Sequence, residues 1–285
     1  MADNRETLDI EGLLRFYAEA GVDMPLSETP IDRFAEPQRP AASQPTAQVS
    51  GVPERTRQQQ PRPAPTPAPT SRPVQAAADL PDTAQIALAR EAAAQASTLE
   101  ELREKLAAFD GCNLKFTAKN LCFADGDPAS DIMFIGEAPG RDEDMEGLPF
   151  VGKSGQLLNR MIESIGLKRE SVYIANTIPW RPPGNRTPTP LETELCRPFI
   201  ERQIELAAPK VLVALGGPAG KALTGATEGI LRLRGNWKIH RSPSGLEIPV
   251  MPTLHPAYLL RTPAQKRFAW RDFLAVKLKL AELIS

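Results

Sequence analysis

Four short apolar runs, Asp131–Ile135, Val172–Asn176, Val211–Leu215 and Val250–Leu254, recur along the chain. Helix-patterned stretches, Gly155–Ile165, Pro190–Ala207, Pro218–Leu223 and Pro263–Leu283, separate and follow them. That alternation has few solutions. A run that is apolar at successive positions is buried on both faces, and strands joined through helices pair in parallel. The expected fold is α/β: a three-layer αβα sandwich with a short central parallel sheet. Two further helices precede it. One opens at Asp82-Thr83, and the other opens on the capping-box pattern Thr98-Leu99-Glu100-Glu101 and runs to Phe109, where Asp110-Gly111 ends it.

The chain upstream has a different character. Ten of the 37 residues from Pro37 to Pro73 are proline, among Gln, Arg, Ala, Ser and Thr. Such a segment cannot bury enough apolar surface to offset the entropy of ordering it, so residues 35–81 are expected to be a disordered, Pro-rich linker. Residues 1–34 carry eight acids and three arginines, 3 − 8 = −5. Within them Leu8, Ile10, Leu13, Leu14, Phe16 and Tyr17 fall near helical spacing. A helix this short is marginal alone and either docks or frays. The expected organisation is a short amphipathic helix and tail (1–34), a linker (35–81) and a catalytic domain (82–285).

Residues 230–285 hold ten Lys or Arg against three acids, 10 − 3 = +7, which fits a phosphate backbone or a solvated helix surface. No apolar run approaches the ~18 residues of a membrane span, and the acidic N-terminus lacks a signal-peptide pattern. A cytoplasmic protein is expected. The three cysteines form no CxxC, which argues against a disulfide framework.

Two segments at strand exits carry the chemistry. Gly136-Glu137-Ala138-Pro139-Gly140-Arg141-Asp142-Glu143-Asp144 follows the first apolar run, and Thr253-Leu254-His255-Pro256-Ala257-Tyr258-Leu259-Leu260-Arg261 follows the last. In open α/β sheets such exits line the ligand crevice. Glycine and proline there explain a sharp turn without any ligand; they do not explain four acids, one of which can orient or deprotonate a water. Phe150, between Pro149 and Gly152, is either core or a stacking face for a planar ring. Asn176 ends the second strand and presents both a donor and an acceptor. The loop Trp180-Arg181-Pro182-Pro183-Gly184-Asn185-Arg186-Thr187-Pro188 is stiff and basic, and its arginines suit phosphates. His255, one of two histidines, is either structural or a proton donor. A phosphate-cradling nucleotide domain fits less well, because the acids repel phosphate.

Taken together, GEAPGRDED, GLPFVGKSGQLL, VYIANTIPWRPPGNRTP, KVLVALGGPA, the Leu233-Arg234-Gly235 step and TLHPAYLLR resemble the uracil-DNA glycosylase superfamily, most closely its bacterial family-4 type. They fall in order between about residues 110 and 275. The resemblance implies a monomeric DNA-repair enzyme that flips uracil out of DNA and hydrolyses its N-glycosidic bond. The alternative is a relative that binds uracil-containing DNA without cleaving it. By resemblance, Glu137, Glu143 and His255 are catalytic, and Gly136, Ala138, Phe150, Asn176 and Asn185 contact the base. Arg181, Arg186, Tyr258, Leu259, Leu260 and Arg261 contact DNA, the last four by wedging into the gap left by the base. A replication or repair protein is the expected partner of the N-terminal helix.

The chain departs from that pattern twice. Ala138 stands where the best-known members carry a water-activating aspartate. Family-4 enzymes also ligate a [4Fe–4S] cluster with four cysteines. Here Cys112 and Cys196 match two of those positions, Phe109 and Trp180 occupy the other two, and Cys122 fits neither. Two thiolates fall short of the four such a cluster takes, so no cofactor is expected.

Overall fold

A computed structural model describes residues 82–284 of the chain. The expected N-terminal helix and Pro-rich linker lie outside the described residues. The elements run α1 (Asp82–Ala94), α2 (Leu99–Ala108), α3 (Leu114–Thr117), β1 (Asp125–Gly126), β2 (Ile132–Gly136), α4 (Arg141–Glu146), α5 (Lys153–Ser164), β3 (Tyr173–Asn176), α6 (Pro190–Ala207), β4 (Val211–Leu215), α7 (Gly217–Thr224), α8 (Ile230–Leu233), β5 (Lys238–Arg241), β6 (Glu247–Thr253), α9 (Pro256–Arg261) and α10 (Lys266–Ile284).

The strands form one sheet in the order β1-β3-β2-β4-β6-β5. The four inner strands are parallel, as the apolar runs require, and both edges are antiparallel additions. The side chains alternate between two layers. Ile132, Phe134, Ile174, Val211, Val213 and Met251 face Leu158 and Ile162 of α5 and Phe273 and Val276 of α10. Met133, Ile135, Tyr173, Leu212, Ala214 and Val250 face Ile200 and Ile204 of α6 and Leu223 of α7. From β2 the chain crosses to β3 on one side, and from β4 to β6 on the other. The connections therefore part between β2 and β4, leaving a crevice at the carboxyl ends of these strands.

A third apolar cluster joins α1 and α2 to the start of α6. It contains Phe109, Cys112, Trp180 and Cys196, with Leu102, Leu106, Leu195 and Phe199. Thr98 caps α2 by accepting the Glu101 backbone N–H at 3.1 Å, as its sequence pattern requires.

Candidate active site

The crevice holds a cavity of about 460 Å³ whose walls come from the exits of β2, β3 and β6, the Phe150 loop and the proline-rich loop. Gly136 and Asn176 are register partners at the ends of β2 and β3. A Cβ on Gly136 would sit 2.4 Å from Asn176 Oδ1 and 2.5 Å from Phe150 Cζ. The glycine is thus what allows the amide and the ring to meet. Asn176 is buried, and its Oδ1 has no hydrogen-bond partner among the described residues. A buried acceptor left open costs free energy unless something fills it. Here it faces a cavity.

Phe150 is held in an uncommon backbone conformation, φ 54°. Two contacts keep it there. Arg169 donates to the carbonyl oxygens of Phe150 (2.9 Å) and Pro149 (2.7 Å), while its other bonds go to Asn159 and Asp125. On the other side α5 presses so closely that a Cβ at Gly155 would lie 1.7 Å from the Phe150 oxygen. The ring lies 5.6 Å, centroid to centroid, from the His255 imidazole. Sequence reasoning missed Arg169 because its partners are backbone carbonyls some 20 residues away.

His255 caps α9. Its Nδ1 accepts the Ala257 backbone N–H at 3.1 Å, so the ring proton of the neutral form resides on Nε2. Burial, reinforced by the Arg261 charge, pushes its pKa down to about 4, and the imidazole is neutral at physiological pH. The cavity therefore meets an uncharged N–H donor.

The acid cluster divides by what each group touches. Both Glu143 oxygens are taken by backbone amides: Oε2 accepts from Gly140 (3.0 Å), and Oε1 from Val151 (3.2 Å) and Gly152 (3.1 Å). Glu143 thereby fastens the turn after β2 to the Phe150 loop. Asp144 is buried and accepts from the Lys119 and Asn120 amides, and with Asp142 it lies in the first turn of α4, where negative charge is favoured. Mutual repulsion is thus offset by the structure itself for three of the four acids. Glu137 is the exception. Its carboxylate bonds to none of the described residues, it lines the cavity, and burial raises its pKa.

Ala138, Asn185, Arg186, Tyr258 and Arg261 also line the cavity. Arg181 donates to Asn185 Oδ1 at 2.7 Å, and Arg186 makes a two-pronged pair with Glu192 at 2.8 and 2.6 Å. The same glutamate closes a capping box with Thr189, so the loop is pinned to α6. The expected wedge residues lie on a helix, α9, and it splits its leucines. Leu259 is buried among Leu254 and Ala269, whereas Leu260 is 43% exposed. Leu259 is thus committed to the core, and Leu260 is the side chain presented outward.

The positions where a [4Fe–4S] cluster would be expected do not fit one. Cys112 and Cys196 approach to 4.0 Å between sulfurs, but the Phe109 ring packs on Phe199 at 5.3 Å, and Trp180 is buried in the same cluster. Among the described residues no three or more His, Cys, Asp or Glu side chains are grouped to hold a metal ion. Cys122 lies apart; burial raises its thiol pKa to about 12, and it donates to the Glu143 carbonyl. No helix of the described residues is long and apolar enough to cross a membrane.

Residues 123–279, more than half of the chain and every cavity wall, match the family model of the Uracil DNA glycosylase superfamily. The chain belongs to this superfamily. It is similar to the type-4 uracil-DNA glycosylase of Sulfurisphaera tokodaii, 38% identical over 188 residues, 63% of this chain and 84% of the relative. The type-4 uracil-DNA glycosylase of Saccharolobus solfataricus is 41% identical over 174 residues (58% and 79%). That of Thermotoga maritima is 40% identical over 167 residues (57% and 83%). The sheet exits, the Phe150 loop and the α9 segment all fall within the family's span.

Proposed function

We propose that the chain is a DNA-repair glycosylase that removes uracil from DNA and leaves an abasic site. One observation carries this reading: a stacking ring, an unsatisfied amide oxygen and a neutral N–H donor converge on one cavity. Uracil presents a planar face, an N3–H donor and carbonyl oxygens. Phe150 covers the face, Asn176 Oδ1 accepts N3–H, and the Nε2–H of His255 donates to the oxygen on which negative charge grows as the bond breaks. A donor that is already fixed and neutral stabilises that charge without reorganising. Glu137, which bonds to none of the described residues and is made more basic by burial, faces the water and the sugar. Glu143 acts as a positioning residue. Asn185, Arg181 and Arg186 shape the rim, and Leu260, Tyr258 and Arg261 hold the opened strand.

Release of free uracil from a uracil-containing oligonucleotide tests the reading. The wild type is expected to release uracil and to leave thymine and cytosine controls intact. Glu137→Gln and His255→Ala are expected to lose about 100-fold or more of the rate, in the range of a lost acid–base or charge-stabilising group. Wild-type binding to uracil-containing DNA with no release would instead establish the non-cleaving alternative.

The reading extends to the rest of the chain. Residues 82–285 form the catalytic domain of a cytoplasmic monomer without an iron–sulfur cluster, in which aromatic packing by Phe109 and Trp180 substitutes for the metal. Anaerobically purified protein is expected to lack both iron and an absorbance band near ~400 nm. Residues 1–34 serve as a tethered motif for a repair or replication protein, so deleting residues 1–80 is expected to leave uracil release on naked DNA nearly unchanged.

A further inference from the structure

On the far side of α9 from the base cavity lies a second recess of about 190 Å³. Leu157, Met161, Leu259 and Trp270 line it, and Arg160 and Lys266 stand at its rim. Trp270 is 45% exposed, a large apolar surface to leave in water. Arg160 and Lys266 are exposed and make no ion pair with the described residues. The recess is smaller than the ~300 Å³ at which usual small-molecule sites begin, so it suits one flat ring and not a row of side chains. Its position narrows the occupant further. Ala257, Tyr258 and Arg261 of α9 line the base cavity, while Leu259 of the same helix lines the recess. A short helix that presents Leu260 outward therefore separates the base cavity from the recess.

We infer that this recess is a second nucleobase site, in which an unpaired base of the DNA flanking the lesion stacks on Trp270 while Arg160 and Lys266 hold the adjoining phosphates. The inference rests on the glycosylase reading. Splitting a duplex, or binding a single strand, leaves bases with uncovered faces beside the wedge, and an aromatic platform covers such a face whatever the base. Cations at the rim and an apolar floor match the amphipathic build of a nucleotide. The site is continuous with the DNA-facing helix, so a strand leaving Leu260 meets it without crossing an acidic surface of the recess.

The test compares the full chain with its Trp270→Ala and Trp270→Phe variants, on single-stranded oligonucleotides carrying one uracil and flanks of decreasing length. Trp270→Ala is expected to raise KM on long-flank substrates about tenfold, within what base–aromatic stacking contributes. The gap is expected to close as the flank is trimmed, and Trp270→Phe to restore most of the affinity. Leu278→Ala, at a position on the same helix that is 72% exposed and away from the recess, keeps wild-type kinetics. Tryptophan fluorescence supplies an independent readout: a uracil-free oligonucleotide quenches the wild type and leaves Trp270→Phe unquenched. Uracil release with equal KM for wild type and Trp270→Ala, or no quenching in the wild type, overturns the second site alone. Absence of uracil release by the wild type overturns the glycosylase reading instead.

Discussion

His255 is held neutral by its surroundings, and the consequence is measurable. Its pKa falls from 6.5 in an unfolded chain to about 4 in the fold, through burial first and the Arg261 charge second. Protonation would also put a proton on Nδ1, which accepts from the Ala257 amide. The folded state thus binds this proton less readily than the unfolded state. Between the two pKa values stability rises with pH; the His255 contribution is complete above 6.5 and is lost as pH falls toward 4. A shift of 6.5 − 4 = 2.5 pKa units corresponds to about 3 kcal/mol in the limit, and about 2 kcal/mol is already lost between about pH 7.5 and about pH 5. Urea unfolding at those two pH values, on wild type and His255→Gln, isolates this contribution from carboxylate titrations common to both. The variant is expected to lose about 2 kcal/mol less. With two histidines in the sequence, nitrogen-detected NMR of histidine-labelled protein resolves them directly, and the variant assigns His255. An Nε2–H tautomer that persists to about pH 5 is expected. Titration of His255 near 6.5, or a proton found on Nδ1, would refute the account of how the donor is prepared.

Other perturbations follow from contacts in the site and its supports. Gly136→Ala places a methyl 2.4 Å from Asn176 Oδ1 and 2.5 Å from the Phe150 ring, and is expected to cut uracil release about 100-fold or more while thermal unfolding shifts little. Gly155→Ala collides with the Phe150 backbone at 1.7 Å and is expected to lose both activity and stability, seen as a lower Tm. Asp272, 2% exposed, is held by Arg234 and by Thr253 at 2.6 Å. Arg234→Ala is expected to cost about 3–5 kcal/mol in urea unfolding by stranding that carboxylate, with Arg234→Ala/Asp272→Asn recovering much of the loss.

The inner sheet was legible because burial on both faces leaves an unbroken apolar run. Val211–Leu215 is such a strand, and Ile132–Gly136 differs from its expected span by one residue at each end. The edges carry no such mark. β5 reads Lys-Ile-His-Arg, half exposed, and β1 is two residues fixed by pairing with Tyr173 and Ile174. The short α9 carries no helical mark either, because six residues starting with proline show no period. In the site, the residue types were legible and their partners were not. Nothing in the run Asp142-Glu143-Asp144 distinguishes a carboxylate that faces substrate from one that holds three backbone amides. That distinction is made by Val151 and Gly152, which tertiary structure alone brings to Glu143.

The division of labour in the cavity follows from which polar groups are satisfied. Glu143 and Asp144 hold backbone amides, and Arg169 holds two backbone carbonyls as well as Asp125 and Asn159, so moving them would strand buried amides or carbonyls; they set shape. Glu137, Asn176 Oδ1 and His255 Nε2 bond to none of the described residues, and all three side chains border the same cavity. An open polar atom is not sufficient evidence by itself. His240 is buried on β5 with its Nε2 equally unpartnered, yet it lines no part of the cavity, and its Nδ1 is paired with the Leu223 carbonyl. What separates the two histidines is convergence. Around His255 an acceptor, a donor and a ring are held at fixed spacing by a glycine too small to intervene, an arrangement that a single planar ligand satisfies at once.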